Sequence, residues 1–114
     1  MVEQIQIQGS AGTHPDQRVL RLAGSLNLVT VPGFLDALKA EKAGTLILDF
    51  SGVNLVDSAG VGSLIQTYMS FQNAKRKLAF VGMSQRILAV LEITRVRKLL
   101  PVFESLEVAQ QKLT

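Results

Sequence analysis

The stretch Val56-Asp57-Ser58-Ala59-Gly60-Val61-Gly62-Ser63-Leu64 decides how this chain is read. Upstream, Leu46-Ile47-Leu48-Asp49-Phe50 is a short continuous apolar run bounded by turn residues. That is the pattern of a strand covered on both faces, in a sheet with helices packed against it. Downstream, Val61, Leu64, Ile65, Tyr68 and Phe71 recur at helical spacing. The stretch therefore hands an apolar strand over to an amphipathic helix. Asp57 and Ser58 are both good N-cap residues, because their oxygens accept the free N–H groups of a first turn, an effect worth ~1 kcal/mol. Gly60 and Gly62 fall in the first turns, where each costs roughly 1 kcal/mol against Ala. A helix start as such has little use for them. A flat, side-chain-poor surface around Ser58, open to another protein's backbone, does.

Outward from this point the same logic orders the rest. Gln4–Gln8 alternates with period two and Arg18–Ala23 follows it as a second strand, antiparallel to the first, across a polar loop from Gly9 to Gln17. Gly24 to Val31 fits neither template. Pro32 suits a first helical turn, and Phe34, Leu35 and Leu38 form its apolar stripe, with Gly44 as a stop. Leu78–Val81 is a further buried strand, Ser84 caps a helix carrying Ile87, Leu88 and Leu91, Val102-Phe103 is a last short strand, and Ser105 caps a final helix. The order β-β-α-β-α-β-α-β-α predicts an α/β fold with a mostly parallel central sheet of four to five strands and about four helices. With 114 residues, one domain spanning 1–114 is expected.

Composition narrows the function. Hydrophobic residues make up 47% and charged residues 18%, enough for an aliphatic core. The chain has no cysteine, which removes disulfides, thiolate metal sites and cysteine nucleophiles together. No apolar run reaches the roughly 18–20 residues of a membrane span, and the N-terminus lacks the pattern of a signal peptide, so a cytoplasmic protein is expected. Net charge is +3. Lys75-Arg76-Lys77 follows a predicted helix, where cations suit the negative end of the dipole, and Arg95, Arg97 and Lys98 have no interleaved aromatics. Both clusters read as solvated turns rather than as a nucleic-acid surface.

Enzymatic signatures fail one by one. His14 is the only histidine and sits before Pro15 in a loop, without a partner acid. There is no HExxH, no phosphate loop and no Gly-x-Ser-x-Gly elbow, and Gly60-Val61-Gly62 continues to Ile65 where a dinucleotide fingerprint needs glycine. A nucleophilic Ser58 would have no evident base. No catalytic residue, metal ligand or cofactor is expected. A weak nucleotide-binding domain at the Ser58 helix end is the enzymatic alternative, and the missing phosphate loop speaks against it.

The run from Leu46 to Leu64, with its Asp-Ser-x-Gly-x-Gly core at 57–62, resembles the anti-anti-sigma factors, the STAS domain family. Leu91–Thr94 with Leu100–Glu107, and Leu22–Asn27 with Val31-Pro32, are similar to other parts of that family, so the resemblance covers nearly the whole chain in order. It implies a protein-interaction module that is not an enzyme. Ser58 would be phosphorylated by a partner that is both a serine kinase and an anti-sigma factor; the unphosphorylated form would bind that partner and free a sigma factor, and a phosphatase would reset it. The implied contact surface comprises Asp57, Ser58, Ala59, Gly60, Gly62, Ser63 and Asn27. An alternative within the family is a constitutive subunit, for example of a lipid-transport ABC system, with Ser58 as a contact residue. Three departures stand out: Ala59 where the family often has Ser or Thr, Gly24-Ser25-Leu26-Asn27 where it commonly has Gly-Glu-Leu-Asp, and Arg95 where a Gly is common.

Overall fold

The run Leu46–Phe50 lies inside the strand at the centre of the sheet. In the computed structural model, which describes residues 3–113, the elements are β1 (Gln6–Ala11), β2 (Gln17–Leu26), α1 (Val31–Ala40), β3 (Thr45–Val56), α2 (Ser58–Asn73), β4 (Lys77–Val81), α3 (Gln85–Ile93), β5 (Val102–Phe103) and α4 (Leu106–Lys112). The sheet runs β1-β2-β3-β4-β5, antiparallel between β1 and β2 and parallel thereafter. The expected α/β order and mostly parallel sheet are both present, and of the four to five strands expected the sheet has five. β1 starts later than its alternation predicts and runs on to Ala11, because a tight turn shortens the loop: Gly12 N–H donates to the Gln17 carbonyl at 2.8 Å and Gln17 N–H to that of His14 at 3.1 Å. β3 likewise continues past its apolar run to Val56, paired with the end of β2 through two irregularities of register.

Each crossover from β2 to β5 steps the same way across the sheet, and right-handed crossovers then place α1, α2 and α3 on one face. The buried side chains agree. Leu20, Leu22, Leu48 and Phe80 meet Phe34 and Leu38 of α1, Leu64 and Phe71 of α2, and Ile87 and Leu91 of α3. The alternate strand residues Val19, Ile47, Ala79 and Val81 meet Ala109 of α4 on the opposite face. Phe50 and Phe80, from neighbouring strands, pack edge to face at 5.9 Å. The larger face carries the bulky residues because three helices cover it. The smaller takes Ala, Val and one Ile under one short helix.

This layout sorts the helix ends. The helices α1–α3 begin at the edge where strands end and finish at the edge where strands begin. α2 and α3 finish alike: Arg76 N–H donates to the Phe71 carbonyl and Lys75 N–H to that of Gln72, while Val96 and Arg95 do the same to Leu91 and Glu92. Such a closure needs a left-handed residue, usually Gly. Here it is Lys75 (φ 57°) and Arg95 (φ 62°). The α3 end thus keeps the turn that a glycine would make, with a cation in its place.

Candidate functional site

The site lies where β3 runs into α2. Asp57 is the N-cap of α2, extended at φ −93°, and its Oδ1 accepts from Gly60 N–H at 2.8 Å. Its second oxygen, Oδ2, accepts from Leu28 N–H at 3.2 Å. One carboxylate therefore holds both the helix start and the loop between β2 and α1. Ser58 is the first residue of the helix and is exposed; its hydroxyl has no hydrogen-bond partner among the described residues. The first N–H groups of a helix lack intrahelical acceptors, so Ser58 Oγ stands at the positive end of a helix of 16 residues.

The two glycines differ. Gly62 is exposed, and a Cβ there would meet nothing within 4 Å. Gly60 is buried, and a Cβ there would stand 2.4 Å from the Leu26 carbonyl oxygen and 2.8 Å from Val56 Cγ1. α2 is pressed so closely onto the end of β2 that only hydrogen fits. Gly60 is therefore a packing residue, which corrects the expectation that both glycines keep the surface open. Ser63 needs the same correction: it is 2% exposed, and its hydroxyl donates to the Gly60 carbonyl at 2.7 Å. Position 63 is one turn from 60 and shares its inward face. Ala59 is half-buried beside Ser58.

Asn27 is half-buried, and its amide works inside the loop. Its Oδ1 accepts from Val29 N–H at 3.0 Å and Thr30 N–H at 3.1 Å, and its Nδ2 donates to Glu3 Oε1 at 3.1 Å. Buried Thr30 closes the loop from below, accepting from Asn27 N–H and donating to the Ser25 carbonyl. Asn27 thus shapes the loop. That loop presents two residues which the sequence left unassigned: Leu28 is 75% exposed and Val29 55%. The usable signal was Asn27 two residues before Val29, the spacing of a side chain that folds the backbone back on itself. Along α2 itself, Ser58, Gly62, Gln66 and Met69 form the exposed row. Two aliphatic side chains, a free hydroxyl and a bare glycine make a surface suited to contact. Among the described residues no three His, Cys, Asp or Glu side chains gather as a metal site.

A family model described as the STAS domain matches residues 4–109. The chain belongs to the STAS domain family. This STAS domain is 28% identical over 99 residues to the anti-sigma-B factor antagonist of Staphylococcus epidermidis, covering 84% of this chain and 92% of that protein. Its fold is similar to the crystal structure of an anti-sigma factor antagonist from Mycobacterium paratuberculosis, with a TM-score of 0.77, 22% identity, and coverage of 94% and 93% of the two chains. It is also similar to the Bacillus cell fate determinant SpoIIAA in its phosphorylated form, with a TM-score of 0.66, 17% identity, and coverage of 96% and 99%. Several of the structural relatives are anti-sigma factor antagonists by name, and among the described residues no helix is long and apolar enough to cross a membrane.

Proposed function

We propose that this STAS domain is an anti-sigma factor antagonist switched at Ser58. In the unphosphorylated state it binds an anti-sigma factor that is also a serine kinase, and sigma factor is released. Contact is made by Ser58, Ala59 and Gly62 with Leu28 and Val29, while Asp57 fixes the loop against the helix. The kinase transfers the γ-phosphoryl group of ATP to Ser58 Oγ; the hydroxyl proton is lost and ADP leaves. A phosphatase returns the free hydroxyl by hydrolysis. The observation that carries this reading is the free, exposed Ser58 hydroxyl at the start of α2, next to the Asp57 carboxylate that holds the Leu28 backbone and one turn before the open Gly62.

The magnitudes fit a switch. Phosphate at a helix N-terminus is tolerated, so the domain stays folded when modified. It adds about −1.5 to −2 charges beside the Asp57 carboxylate, in a contact area that is otherwise small and apolar. Each 1.4 kcal/mol of unpaired burial weakens binding about tenfold.

Incubation with the cognate kinase and ATP tests this. Intact-mass analysis is expected to find one phosphate, on Ser58 and not on Ser51, Ser63 or Ser84, with affinity for the kinase reduced at least about tenfold after modification. Undiminished labelling of Ser58→Ala would overturn the assignment. Tight binding with no phosphate transfer would instead leave a constitutive subunit.

A further inference from the structure

The topology brings the basic helix ends to one pole, where all but Arg76 are exposed; the half-buried Arg76 guanidinium lies over Phe71 and donates to the Glu41 and Ala43 carbonyls. Lys39 and Lys42 close α1, Lys75, Arg76 and Lys77 close α2, and Arg95 and Lys98 follow α3. Lys112 ends α4, and the adjoining Leu113 lines one depression with Arg76, Lys77 and Pro101. Arg76 in turn lines the groove between α1 and α2 with Lys39 and Lys42, so these helix ends are contiguous. Among the side chains of the described residues, three carboxylates lie at this pole. Glu41 is paired with Arg18 and Glu92 with Arg97, which leaves Asp16 against the cations just named. Helix C-termini contribute about half a negative charge each, far too little to neutralise the rest.

Two observations set this pole apart from ordinary helix ends. Lys75 and Arg95 hold left-handed positions where glycine is the unstrained choice, so the cation stands there against backbone preference. The turn after α3 also combines cations with exposed aliphatics. Ile93 is 81% exposed and Leu99 46%, and in the same turn Leu91, Glu92, Arg95, Arg97 and Lys98 line a depression of about 360 Å³.

We propose that this pole docks on an anionic bilayer surface, with the cations among headgroup phosphates and Ile93 and Leu99 in the acyl boundary. Juxtamembrane cations and a few inserted aliphatic side chains are jointly sufficient for reversible attachment. A nucleic acid would use the cations but gain nothing from bare aliphatics, and the turn offers no aromatic for base stacking. Ser58 sits at the other end of α2, about 24 Å away at 1.5 Å per residue, and would face the aqueous phase.

Vesicle sedimentation tests the proposal with the full chain. Binding is expected to vesicles of phosphatidylcholine with about 30% phosphatidylglycerol, to be absent on phosphatidylcholine alone, and to fall steeply with salt. Arg95→Gly with Lys98→Ser, and separately Ile93→Ser with Leu99→Ser, should each weaken it about tenfold while melting as the parent does. Arg95→Gly retains the left-handed turn. As the chain has no cysteine, Leu99→Cys and Ser58→Cys can each carry one polarity-sensitive fluorophore; the first should shift to the blue on vesicles and the second should not. No binding to the anionic vesicles would overturn the proposal. So would unchanged binding in either double variant, or an Ile93/Leu99 variant that has lost its fold. Tighter binding to duplex DNA than to anionic vesicles would replace it with a nucleic-acid surface.

Discussion

The two ends of α2 are built in opposite ways. At Ser58 the helix starts on small residues, with one carboxylate capping it and two exposed aliphatics from the neighbouring loop. At Lys75 it stops on cations, beside the cationic ends of α1 and α3. The first end is specified by close contact: Gly60 must be glycine because a backbone oxygen lies where its Cβ would be. The second is specified by charge, with side chains that mostly reach into solvent. Close contact tolerates little change, whereas a charged rim tolerates much. Mutations at Gly60 and Asp57 should therefore register as stability, and those at Arg95 and Lys98 as association.

The largest effect should come from Gly60→Ala, which forces α2 off the end of β2. Overpacking against backbone costs about 2–3 kcal/mol, a fall in melting temperature of roughly 10–20 °C. A melt within two or three degrees of the parent would show that the helix start has slack, and the contrast between the two ends would weaken. Next is Asp57→Ala, which removes the cap and the tie to Leu28 together. A loss of about 1–2 kcal/mol is expected in denaturant unfolding, with faster hydrogen exchange at Leu28 N–H. Equal exchange in both proteins would mean that Asn27 and Thr30 hold the loop unaided.

Smaller effects sharpen the contrast further. Gly62→Ala, two residues from Gly60, should stabilise by up to ~1 kcal/mol through helix propensity alone, since its Cβ enters open space. Destabilisation measured by urea titration would remove Gly62 from the exposed surface. Smallest is Ser58→Asp, expected to melt cooperatively within about 1 kcal/mol of the parent, because a carboxylate suits the helix start while Asp57 opposes it slightly. Aggregation of that variant would identify Ser58 as a structural cap.

Much of the fold was legible because it depends on local chemistry. Ser84 and Ser105 cap α3 and α4 through Ile87 N–H and Val108 N–H as their sequence context requires, and the apolar runs at 46–50 and 78–81 lie in parallel strands. Asp57 was legible as a cap for the same reason. Gly24–Val31 was not legible, since its shape comes from side-chain bonds of Asn27 and Thr30 rather than from any periodicity. Nor could the sequence separate Gly60 from Gly62. Both are glycines in one turn, and only the path of β2 decides which of them meets a wall.

The sequence by itself determined the order of elements, the aliphatic core and a capped helix start at Asp57-Ser58, because apolar periodicity and capping act over a few residues. Tertiary structure decided the rest. It freed the Ser58 hydroxyl by capping α2 with Asp57, turned Gly60 and Ser63 inward, tied the Leu28 backbone to Asp57 through one carboxylate oxygen, and gathered cations from four helix ends at the opposite pole. The physical reason is that burial and charge density are properties of surfaces, and a surface is assembled from segments far apart in the chain. Right-handed crossovers between parallel strands send α1, α2 and α3 back the same way, so charges that look scattered along the sequence come to lie together.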